Sequence, residues 1–434
     1  MQARRRRIRD VISLPYHYWQ GFIWALLYGF PTRGMTVIGV TGTNGKTTTC
    51  FMIYEILRAA GKRTGIVTTV GYGANGRLKA PDEHVTTPHP RMLNRMLKEL
   101  RKQGIDYLVL ETTSHALAQK RVFGINFDTG VLTNMTHEHL DYHGTFERYV
   151  KAKRRLFWKS KFGVVNAEDG VARLFEASVP KFMNYGVEEG ELRASNIKLG
   201  SDYVEFSICY RDFCTNPKMP LRSNIAGEFN VYNALAAAAV GLHYGLNLSE
   251  IADGISNLDV IDGRMEAVDE GQNFTAIIDF AHTPDAFEKL MPDMKRAAKE
   301  KGGRLITMFG AAGGKRDAST RAPRGEWAGK YADVIILTED GDYDTPPEEI
   351  FTDLEEGIYK ARFPKKDLYK IHNRSEAVRF AVEMAKKNDV VLFLGKGHER
   401  EIETVDGPIP YSEADQVRRE LKRLKSGKSV AKKK

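Results

Sequence analysis

The sequence has little cysteine and tryptophan, with three and four residues respectively in a chain of 434. Cys50, Cys209 and Cys214 lack the spacing of metal ligands, which argues against a fold built around thiolate-bound zinc. Three is also an odd number for a disulfide framework, so we predict a protein of the reducing cytoplasm. Internal repeats and long Gly/Ser linkers are absent too, which excludes a repeat array and loosely tethered modules.

Charge is concentrated at the two ends of the chain. The formal net charge is +9, but residues 1–10 carry +4 and residues 418–434 carry +8, which leaves the remainder at about −3. Basic ends of this kind are commonly solvated, and no nucleic-acid-reading motif accompanies them. The composition, 42% hydrophobic and 28% charged, is that of a globular enzyme. We predict a monomer without a nucleic-acid partner.

The N-terminal segment, residues 1–34, combines Arg4 to Arg7 with an uncharged run from Val11 to Thr32. Such a run resembles a signal peptide or a membrane span, but Pro15 and Gly21 dilute it. Its apolar residues approximate helical spacing: Trp19, Phe22, Ile23, Leu26, Leu27 and Phe30. Three interpretations stay open, namely a helix packed on the protein body, a helix lying on an anionic membrane surface, and a true span.

A phosphate-binding loop (P-loop) is the most informative motif, and it occupies Thr41 to Thr48. It follows an apolar run from Met35 to Val40 and opens a helical pattern that continues to about Ala60. Backbone N–H groups at a helix N-terminus and a lysine bind phosphates, and the following threonine can hold Mg²⁺. The motif predicts a nucleoside triphosphate site formed by Gly42, Thr43, Asn44, Gly45, Lys46, Thr47 and Thr48.

Segments of strand and helix pattern alternate along the chain, which predicts an α/β fold with mostly parallel sheets. The first series has candidate strands at 35–40, 65–70, 106–111, 129–133, 163–166 and 203–209, with helical patterns at 47–60, 91–103 and 146–160. The second series has candidate strands at 274–279, 304–309, 333–338 and 390–394. We predict a central P-loop ATPase domain (35–260), a C-terminal Rossmann-like α/β domain (261–416) and a basic tail (417–434).

Three features of the central domain carry further chemistry. Glu111 ends an apolar strand, and side chains at that end of a parallel sheet face the ligand crevice. Glu111 is therefore a candidate Mg²⁺ ligand. The alternative is that it caps the next helix. The run from His137 to His143 holds three histidines and two carboxylates. This is a poor ligand set for structural zinc, but one of its histidines could supplement a carboxylate Mg²⁺ site. The alternative is a polar surface loop. Lys153 lies in a basic helix, and its spacing alone indicates a solvated charge.

Polar or glycine-rich turns follow three candidate strands of the C-terminal domain. They are Asp279 to Pro284, Gly310 to Asp317 and Gly395 to Glu399. Because the carboxyl ends of parallel strands lie at one edge of a sheet, these turns predict a second ligand site.

Together these segments resemble the Mur ligase family, and most closely its UDP-N-acetylmuramyl-tripeptide synthetases. The resemblance covers about residues 36–415, and the motifs occur in the family's order. They are the P-loop, Thr86-Thr87-Pro88, Glu111 to Arg121, Thr133-Asn134, His139 to Gly144, Ala152-Lys153, Gly227 to Ala234, Gly263 to Glu266, Asp279 to Asp285, and Gly395 to Glu399.

The resemblance implies an ATP-dependent ligase of peptidoglycan synthesis. ATP converts a carboxylate of a UDP-muramyl dipeptide into an acyl phosphate, and the amine of diaminopimelate or lysine then displaces phosphate to form an amide. The implied catalytic residues are Lys46, Glu111, His139 and Lys153, the last as a carbamylated lysine. The implied Mg²⁺ site comprises Thr47, Glu111, His139 and Lys153.

Binding residues are also implied by the resemblance. Besides the P-loop, the nucleotide would contact Asn233, Arg264 and Asp279. The UDP-muramyl substrate would contact Thr87, Thr113, Gln119 and Arg121, and the incoming amino acid would contact Arg316, Gly395 and Glu399. Further substrate contacts are predicted for Thr86, Ser114, His282, Arg321 and Asp340.

The chain departs from the family pattern in three places, of which one is the glycine-rich turn at 310–317, one residue longer than usual, together with Phe280 in place of a usual tyrosine. Only about 34 residues precede the first core strand, where family members usually carry a domain that binds UDP. The family's Asp-Asn-Pro-Arg turn, which reads the far carboxylate of diaminopimelate, appears as Asp340-Gly341-Asp342-Tyr343. On charge, this turn favours lysine or ornithine. The alternative functions are a ligase acting on a folyl or other poly-acid substrate and a non-enzymatic scaffold.

Overall fold

The computed structural model describes residues 2–80, 86–211, 213–215, 220–314, 318–341 and 345–426, with side chains from residue 15 onward. The chain divides into two compact units. The first unit comprises residues 1–198, 205–223 and 229–259, and the second comprises residues 199–204, 224–228 and 260–434.

The first unit alternates strands with helices, as the pattern predicts. Its helices are α1 (Gln2–Leu27), α2 (Lys46–Ala59), α3 (Pro90–Lys102), α4 (Ser114–Ala118), α5 (Leu140–His143), α6 (Phe146–Phe157), α7 (Ala172–Glu176), α8 (Phe229–His243) and α9 (Leu248–Ser256). Its strands are β1 (Thr36–Thr41), β2 (Thr64–Val67), β3 (Tyr72–Ala74), β4 (Arg77–Lys79), β5 (Tyr107–Glu111), β6 (Phe127–Leu132), β7 (Ser160–Asn166), β8 (Phe182–Gly186), β9 (Leu192–Leu199), β10 (Val204–Tyr210), β11 (Phe213–Cys214) and β12 (Leu221–Ser223).

One large sheet organises this unit, in the order β11-β10-β9-β8-β7-β6-β1-β5-β2-β3-β4, with β12 paired to β10. The strands from β9 to β2 pair in parallel, and β3 and β4 extend that edge as an antiparallel hairpin. Buried Val, Ile and Leu residues dominate β1 and β5, because a parallel sheet covered on both faces needs apolar side chains throughout. The carboxyl ends of β1, β2, β5 and β6 therefore share one edge.

The structure corrects three local predictions. Strand β2 ends at Val67 rather than at residue 70, because Thr68 turns the chain through bonds with Gly71 into the β3–β4 hairpin. Helix α6 ends at Phe157, and strand β7 begins at residue 160, so the helical pattern predicted to 160 is too long. Cys209 and Cys214 lie opposite each other in β10 and β11 and form a disulfide, which the odd cysteine count obscured.

The N-terminal helix α1 packs against the first unit, as the first of the three interpretations requires. Its Tyr18 and Phe22 rings meet the Phe123 ring edge-on at 5.0 and 6.0 Å, and Gly21 is buried beside the same residue. Within the described part of the chain, no helix combines the length and apolar character needed to cross a membrane.

The second unit is a smaller α/β fold with a sheet in the order β13-β14-β18-β15-β16-β17, in which only β13 pairs antiparallel to its neighbour. Its strands are β13 (Glu266–Val268), β14 (Thr275–Asp279), β15 (Leu305–Phe309), β16 (Val334–Leu337), β17 (Leu368–Lys370), β18 (Val390–Leu394), β19 (Glu401–Thr404) and β20 (Gly407–Pro410). Its helices are α10 (Pro284–Glu300), α11 (Ala318–Tyr331), α12 (Pro347–Lys360), α13 (Arg374–Met384) and α14 (Glu413–Lys425).

The tight packing of β1 against α6 predicts a stability effect at Gly39. A Cβ there would approach Leu156 and Phe127 side-chain atoms to 2.6 and 2.7 Å. We expect Gly39→Ala to lower the free energy of unfolding by about 1–3 kcal/mol, because a packed core must shift to admit the methyl group. Gly170→Ala, which meets no atom within 4 Å, should change it by less than about 0.5 kcal/mol. Fluorescence-monitored urea unfolding of both variants tests this, and equal effects would contradict it.

Candidate functional site

The P-loop joins the carboxyl end of β1 to the N-terminus of α2. Gly45 has a φ of +81°, a left-handed value that favours glycine, and a Cβ there would approach Asn233 Oδ1 to 2.2 Å. Asn233 accepts a hydrogen bond from Thr49 Oγ1 at 3.2 Å, so the buried amide lies against the first turn of α2. The N-terminal amides of α2 and the residues of the P-loop thus form a concave backbone surface suited to an anion.

The segment that follows β6 holds the P-loop in place. The Thr43 amide donates to the Asn134 carbonyl at 2.8 Å. The Asn44 amide donates to Asn134 Oδ1 at 3.0 Å, and Asn134 Nδ2 donates back to the Asn44 carbonyl at 3.1 Å. Thr133 Oγ1 donates to the same carbonyl at 2.6 Å. The sequence matched Thr133 and Asn134 as a motif but gave no signal for this role.

Side chains from three strand ends meet at Glu111. Thr47 Oγ1 donates to Glu111 Oε2 at 3.0 Å, and the amide and hydroxyl of Thr69 approach the same oxygen at 3.1 and 3.2 Å. The Thr69 hydroxyl also bonds Thr86 Oγ1 at 2.9 Å. Lys46 Nζ donates to the Gly42 and Thr43 carbonyls at 3.1 and 2.6 Å. Thr69 was missed, although its position just after β2 is a usable signal.

The Thr47–Glu111 pair offers oxygen donors of the kind that Mg²⁺ prefers. Mg²⁺ commonly keeps several waters and takes one or two protein carboxylates together with phosphate oxygens. Within the described residues, no group of three His, Cys, Asp or Glu side chains could hold a metal by itself. A site with few protein ligands, open to phosphate, therefore fits this geometry.

Lys153 is buried, which corrects the expectation of a solvated charge. Its Nζ donates to the Gly42 carbonyl and lies 4.6 Å from the centre of the Tyr149 ring. Burial, and then the charge of Lys46, hold the pKa of Lys153 well below its usual range. A lower pKa favours the neutral, nucleophilic form of this amine beside the P-loop. Only one side of α6 faces solvent, and Lys153 lies on the other side. The basic residues around it in the sequence therefore gave no indication that Lys153 is buried.

Histidines and tyrosines line the neighbouring helices. His139 lies 4.7 Å from His115 between ring centres, and its Nε2 is 3.5 Å from a Glu138 carboxylate oxygen. His143 Nε2 is 3.0 Å from Ser114 Oγ. Burial, with the charges of His139 and Lys153, lowers the pKa of His143 to about 4. His139 and His143 thus pack against the His115 ring, whereas His137 of the same run is exposed.

A second chain of contacts leads away from Glu111 and contains the residues predicted for the muramyl substrate. Thr87 Oγ1 donates to the Glu111 carbonyl at 3.0 Å and accepts from the Thr113 amide at 3.1 Å. Arg121 donates to the Thr87 carbonyl at 2.7 Å and to Gln119 Oε1 at 3.0 Å. The structure therefore brings these predicted residues together at one edge of the sheet.

In the second unit, Asp279 ends β14 and organises the adjacent turn. Its two oxygens accept from the Met265 and Ala281 amides, both at 2.8 Å. Burial raises the pKa of Asp279, although the nearby Arg264 charge opposes this rise. The Arg264 guanidinium lies 4.7 Å from the centre of the Phe280 ring. His282 is exposed, and its Nδ1 is 2.7 Å from the Phe280 carbonyl.

A charge cluster around the buried Lys396 lies at the carboxyl ends of β16 and β18. Lys396 Nζ is 2.5 Å from Glu399 Oε2 and 4.0 Å from Asp340 Oδ1. Gly395 has a φ of +106°, and a Cβ there would come within 2.8 Å of Asp340 Oδ2. Three predicted residues, Asp340, Gly395 and Glu399, are therefore neighbours, and the sequence missed the lysine between them.

Arg374 anchors this cluster. The side chain is fully buried, and its Nε donates to Glu413 Oε2 at 2.7 Å. Its two other nitrogens donate to the Glu339 and Leu394 carbonyls at 2.8 and 2.7 Å, which ties the ends of β16 and β18 together. An arginine at the start of a helix gave no sequence signal for this burial.

Two predicted arginines have different outcomes. Arg321 is buried, pairs with Asp353 at 2.8 Å and donates to the Ala312 and Gly314 carbonyls at 3.1 and 3.3 Å. Arg321 therefore supports the glycine-rich turn through hydrogen bonds to its carbonyls. Arg316 lies outside the described residues.

Comparison with known proteins connects both units to one family. A model of the Mur ligase middle domain matches residues 40–241, and a model of the Mur ligase glutamate ligase domain matches residues 263–397. A UDP-N-acetylmuramoyl-L-alanyl-D-glutamate–2,6-diaminopimelate ligase of Clostridium acetobutylicum is 38% identical over 405 residues, covering 92% of this chain and 81% of the relative. The chain belongs to the Mur ligase family.

Other Mur ligases agree with this assignment. A UDP-N-acetylmuramyl-tripeptide synthetase of Treponema denticola is 37% identical over 422 residues, covering 92% of this chain and 78% of the relative. A solved UDP-N-acetylmuramoyl-L-alanyl-D-glutamate–2,6-diaminopimelate ligase superposes with a TM-score of 0.65 at 29% identity, over 96% of this chain and 83% of that one. A folylpolyglutamate synthase of Mycobacterium tuberculosis, at 16% identity and TM-score 0.68, shares the fold and covers 89% of this chain and 96% of that one. The predicted family and α/β class are confirmed.

The Arg374 anchor predicts a large effect on stability in this Mur ligase. We expect Arg374→Met to lower the free energy of unfolding by about 3–5 kcal/mol, because it leaves the Glu413 carboxylate buried without its guanidinium. Denaturant unfolding measures this. The double variant Arg374→Met/Glu413→Met should recover part of the loss, since it removes both charges.

The pH dependence provides a check on that cause. Without Arg374, the Glu413 carboxylate is buried without a cation, and protonation would remove that unpaired charge, so the loss of stability should shrink as pH falls. A loss in Arg374→Met that the second substitution does not reduce, and that is independent of pH, would contradict the ion-pair explanation.

Proposed function

We propose that this Mur ligase uses ATP to join an amino acid to a UDP-N-acetylmuramyl dipeptide in peptidoglycan synthesis. The observation that carries the proposal is the convergence of the P-loop, Glu111 and the Thr87–Arg121 contacts at one edge of the first sheet. That edge offers a phosphate cradle beside polar groups suited to a second substrate. The printed names of relatives with 37–38% identity support the same reaction.

The P-loop is the proposed binding site for the ATP phosphates. The amides of residues 42–48 and the Lys46 ammonium bind the phosphates, and release of Lys46 from its own loop carbonyls frees the charge for them. Thr47 and Glu111 are proposed Mg²⁺ ligands, and His139 is a further candidate. Mg²⁺ would supply charge neutralisation on the phosphates. Asn233, Arg264 and Asp279 stay proposed nucleotide contacts.

Lys153 is proposed to act as a carbamate. The reaction joins a neutral lysine amine to CO₂, forms an N–C bond and releases one proton, so the neutral amine becomes a carbamate anion. Burial next to Lys46 lowers the pKa of Lys153, and a lower pKa favours the neutral amine that this reaction needs. The resulting carboxylate would add an oxygen donor close to the P-loop, of the kind that Mg²⁺ binds.

The acceptor carboxylate is proposed to lie beside Thr87, Thr113, Gln119 and Arg121, with Thr86 and Ser114 adjacent. Transfer of the terminal phosphoryl group breaks its bond to ADP and forms an acyl phosphate. Attack by an amine then forms the amide bond and expels phosphate. The amides and the cations near the P-loop stabilise the negative charge of both stages.

The incoming amino acid is proposed to bind at the strand ends of the second unit. Asp340, Gly395 and Glu399 are neighbours there, and His282 and Arg316 are further candidates. Asp340 and Glu399, which also pair with Lys396, suit the distal ammonium that diaminopimelate and lysine share. Arg321 is proposed to support this site through the glycine-rich turn, because its guanidinium is already committed to Asp353.

Phosphate release is the decisive measurement. We expect ATP hydrolysis to depend on both a UDP-muramyl dipeptide and a diamino acid, with diaminopimelate, lysine and ornithine compared in competition. Lys46→Ala should reduce turnover by at least about 100-fold, because it removes a charge from the phosphates while the fold persists. Turnover with a folyl substrate but not with the muramyl dipeptide would overturn the proposal.

The carbamate makes a separate prediction. Lys153→Ala should be nearly inactive, and acetate or bicarbonate should restore part of the activity by replacing the missing carboxylate. Lys151→Ala, on the exposed side of the same helix, is the matched control and should retain normal turnover. Rescue by small amines instead of acids would show that Lys153 acts as an ammonium.

A further inference from the structure

Helix α1 has a second face that the packing of the first unit does not cover. Its inner face is closed, since Gly21 and Ala25 are buried against the body. On the outer face, five large apolar or aromatic side chains are 45–64% exposed: Tyr16, Trp19, Ile23, Leu26 and Leu27. We call these five the outer apolar face.

The spacing of these five residues places their exposed side chains next to one another on the helix surface. Steps of three, four, three and one residues place the five side chains within a sector of about 100° on one side of the helix. Exposed apolar residues scattered singly need no explanation, whereas a continuous stripe of this kind is characteristic of an interaction surface.

Basic side chains flank the stripe. The Arg91 guanidinium lies 5.3 Å from the centre of the Trp24 ring, and Lys98 Nζ lies 5.7 Å from that of Tyr28. Arg33 lies 4.6 Å over Phe30, and Arg101 donates to the Pro31 carbonyl at 3.2 Å. Helix α3, from which three of these cations project, carries five basic residues and one acid. In the sequence, Arg4 to Arg7 add four further positive charges near the start of the same α1 helix.

We propose that the outer apolar face lies flat in the headgroup region of an anionic lipid bilayer. Tyrosine and tryptophan favour that region because their rings are apolar and their polar ends remain hydrated. Leucine and isoleucine enter the acyl boundary, and the flanking cations attract anionic headgroups. The inner face continues to hold α1 on the protein, so binding needs no unfolding. This membrane contact goes beyond the proposed ligase reaction.

Vesicle binding by the full-length protein tests the proposal. Wild-type protein should sediment with vesicles containing about 30% anionic phosphatidylglycerol at least about tenfold more strongly than with neutral phosphatidylcholine vesicles, and salt should weaken this binding. The variant Trp19→Ser/Ile23→Ser/Leu26→Ser should lose most of it. Trp158→Ser/Leu174→Ser removes side chains that are 49% and 45% exposed elsewhere in the first unit, and it should bind like wild type.

Tryptophan fluorescence locates the contact. The blue shift on addition of anionic vesicles should disappear in Trp19→Phe and persist in Trp158→Phe. Ligase turnover with soluble substrates should be unchanged in the triple serine variant, so this test stands apart from that of the proposed reaction.

Three outcomes would overturn the proposal. The first is equally weak binding of wild type to both vesicle types, and the second is unaltered binding of the triple serine variant. The third is a wild-type dimer that the triple variant dissociates without any vesicle binding, which would make the outer apolar face a contact between copies of this chain.

Discussion

Hydrogen bonds between the P-loop and the segment after β6 are the constraint on which the site of the first unit depends. Thr133 and Asn134 engage both backbone groups of Asn44, and the Asn134 carbonyl receives the Thr43 amide. These hydrogen bonds fix the backbone shape of the loop, which reduces the ordering that anion binding there would require. The same loop receives Lys153 at the Gly42 carbonyl, so α6 is positioned through the P-loop as well.

Two buried cations show how burial can serve different ends. Arg374 pairs with Glu413 at 2.7 Å and stays charged, because a guanidinium hardly ever loses its proton. It ties two strand ends together and serves structure. Lys153 meets a carbonyl and an aromatic ring, and its pKa falls because burial disfavours the ammonium. An amine that can become neutral is available for chemistry, which an arginine at this position could not provide.

The sequence predicted the alternation of strands and helices well where hydrophobic runs were long, as in β1, β5 and β18. It failed where turns or tertiary pairing decided the outcome. Thr68 turns the chain after only four residues of β2, and the β3–β4 hairpin is too short to show a pattern. The disulfide depends on cross-strand register, which places Cys209 opposite Cys214 and which a count of cysteines does not contain.

The sequence by itself determined the phosphate-binding motif, the two α/β series and the family, because glycine-rich turns and apolar runs are local properties with fixed spacing. Only the tertiary structure decided which charges are buried. The spacing around Lys153 indicated a solvated charge, and no prediction was made for Arg374 from the sequence. Their environments come from residues far away in the chain, at Gly42 and Glu413. Burial of a side chain depends on which helices and strands pack around it, so a local sequence pattern could not predict it. For the same reason, α1 could be read as apolar, but only its packing separated an inner face from an outer one.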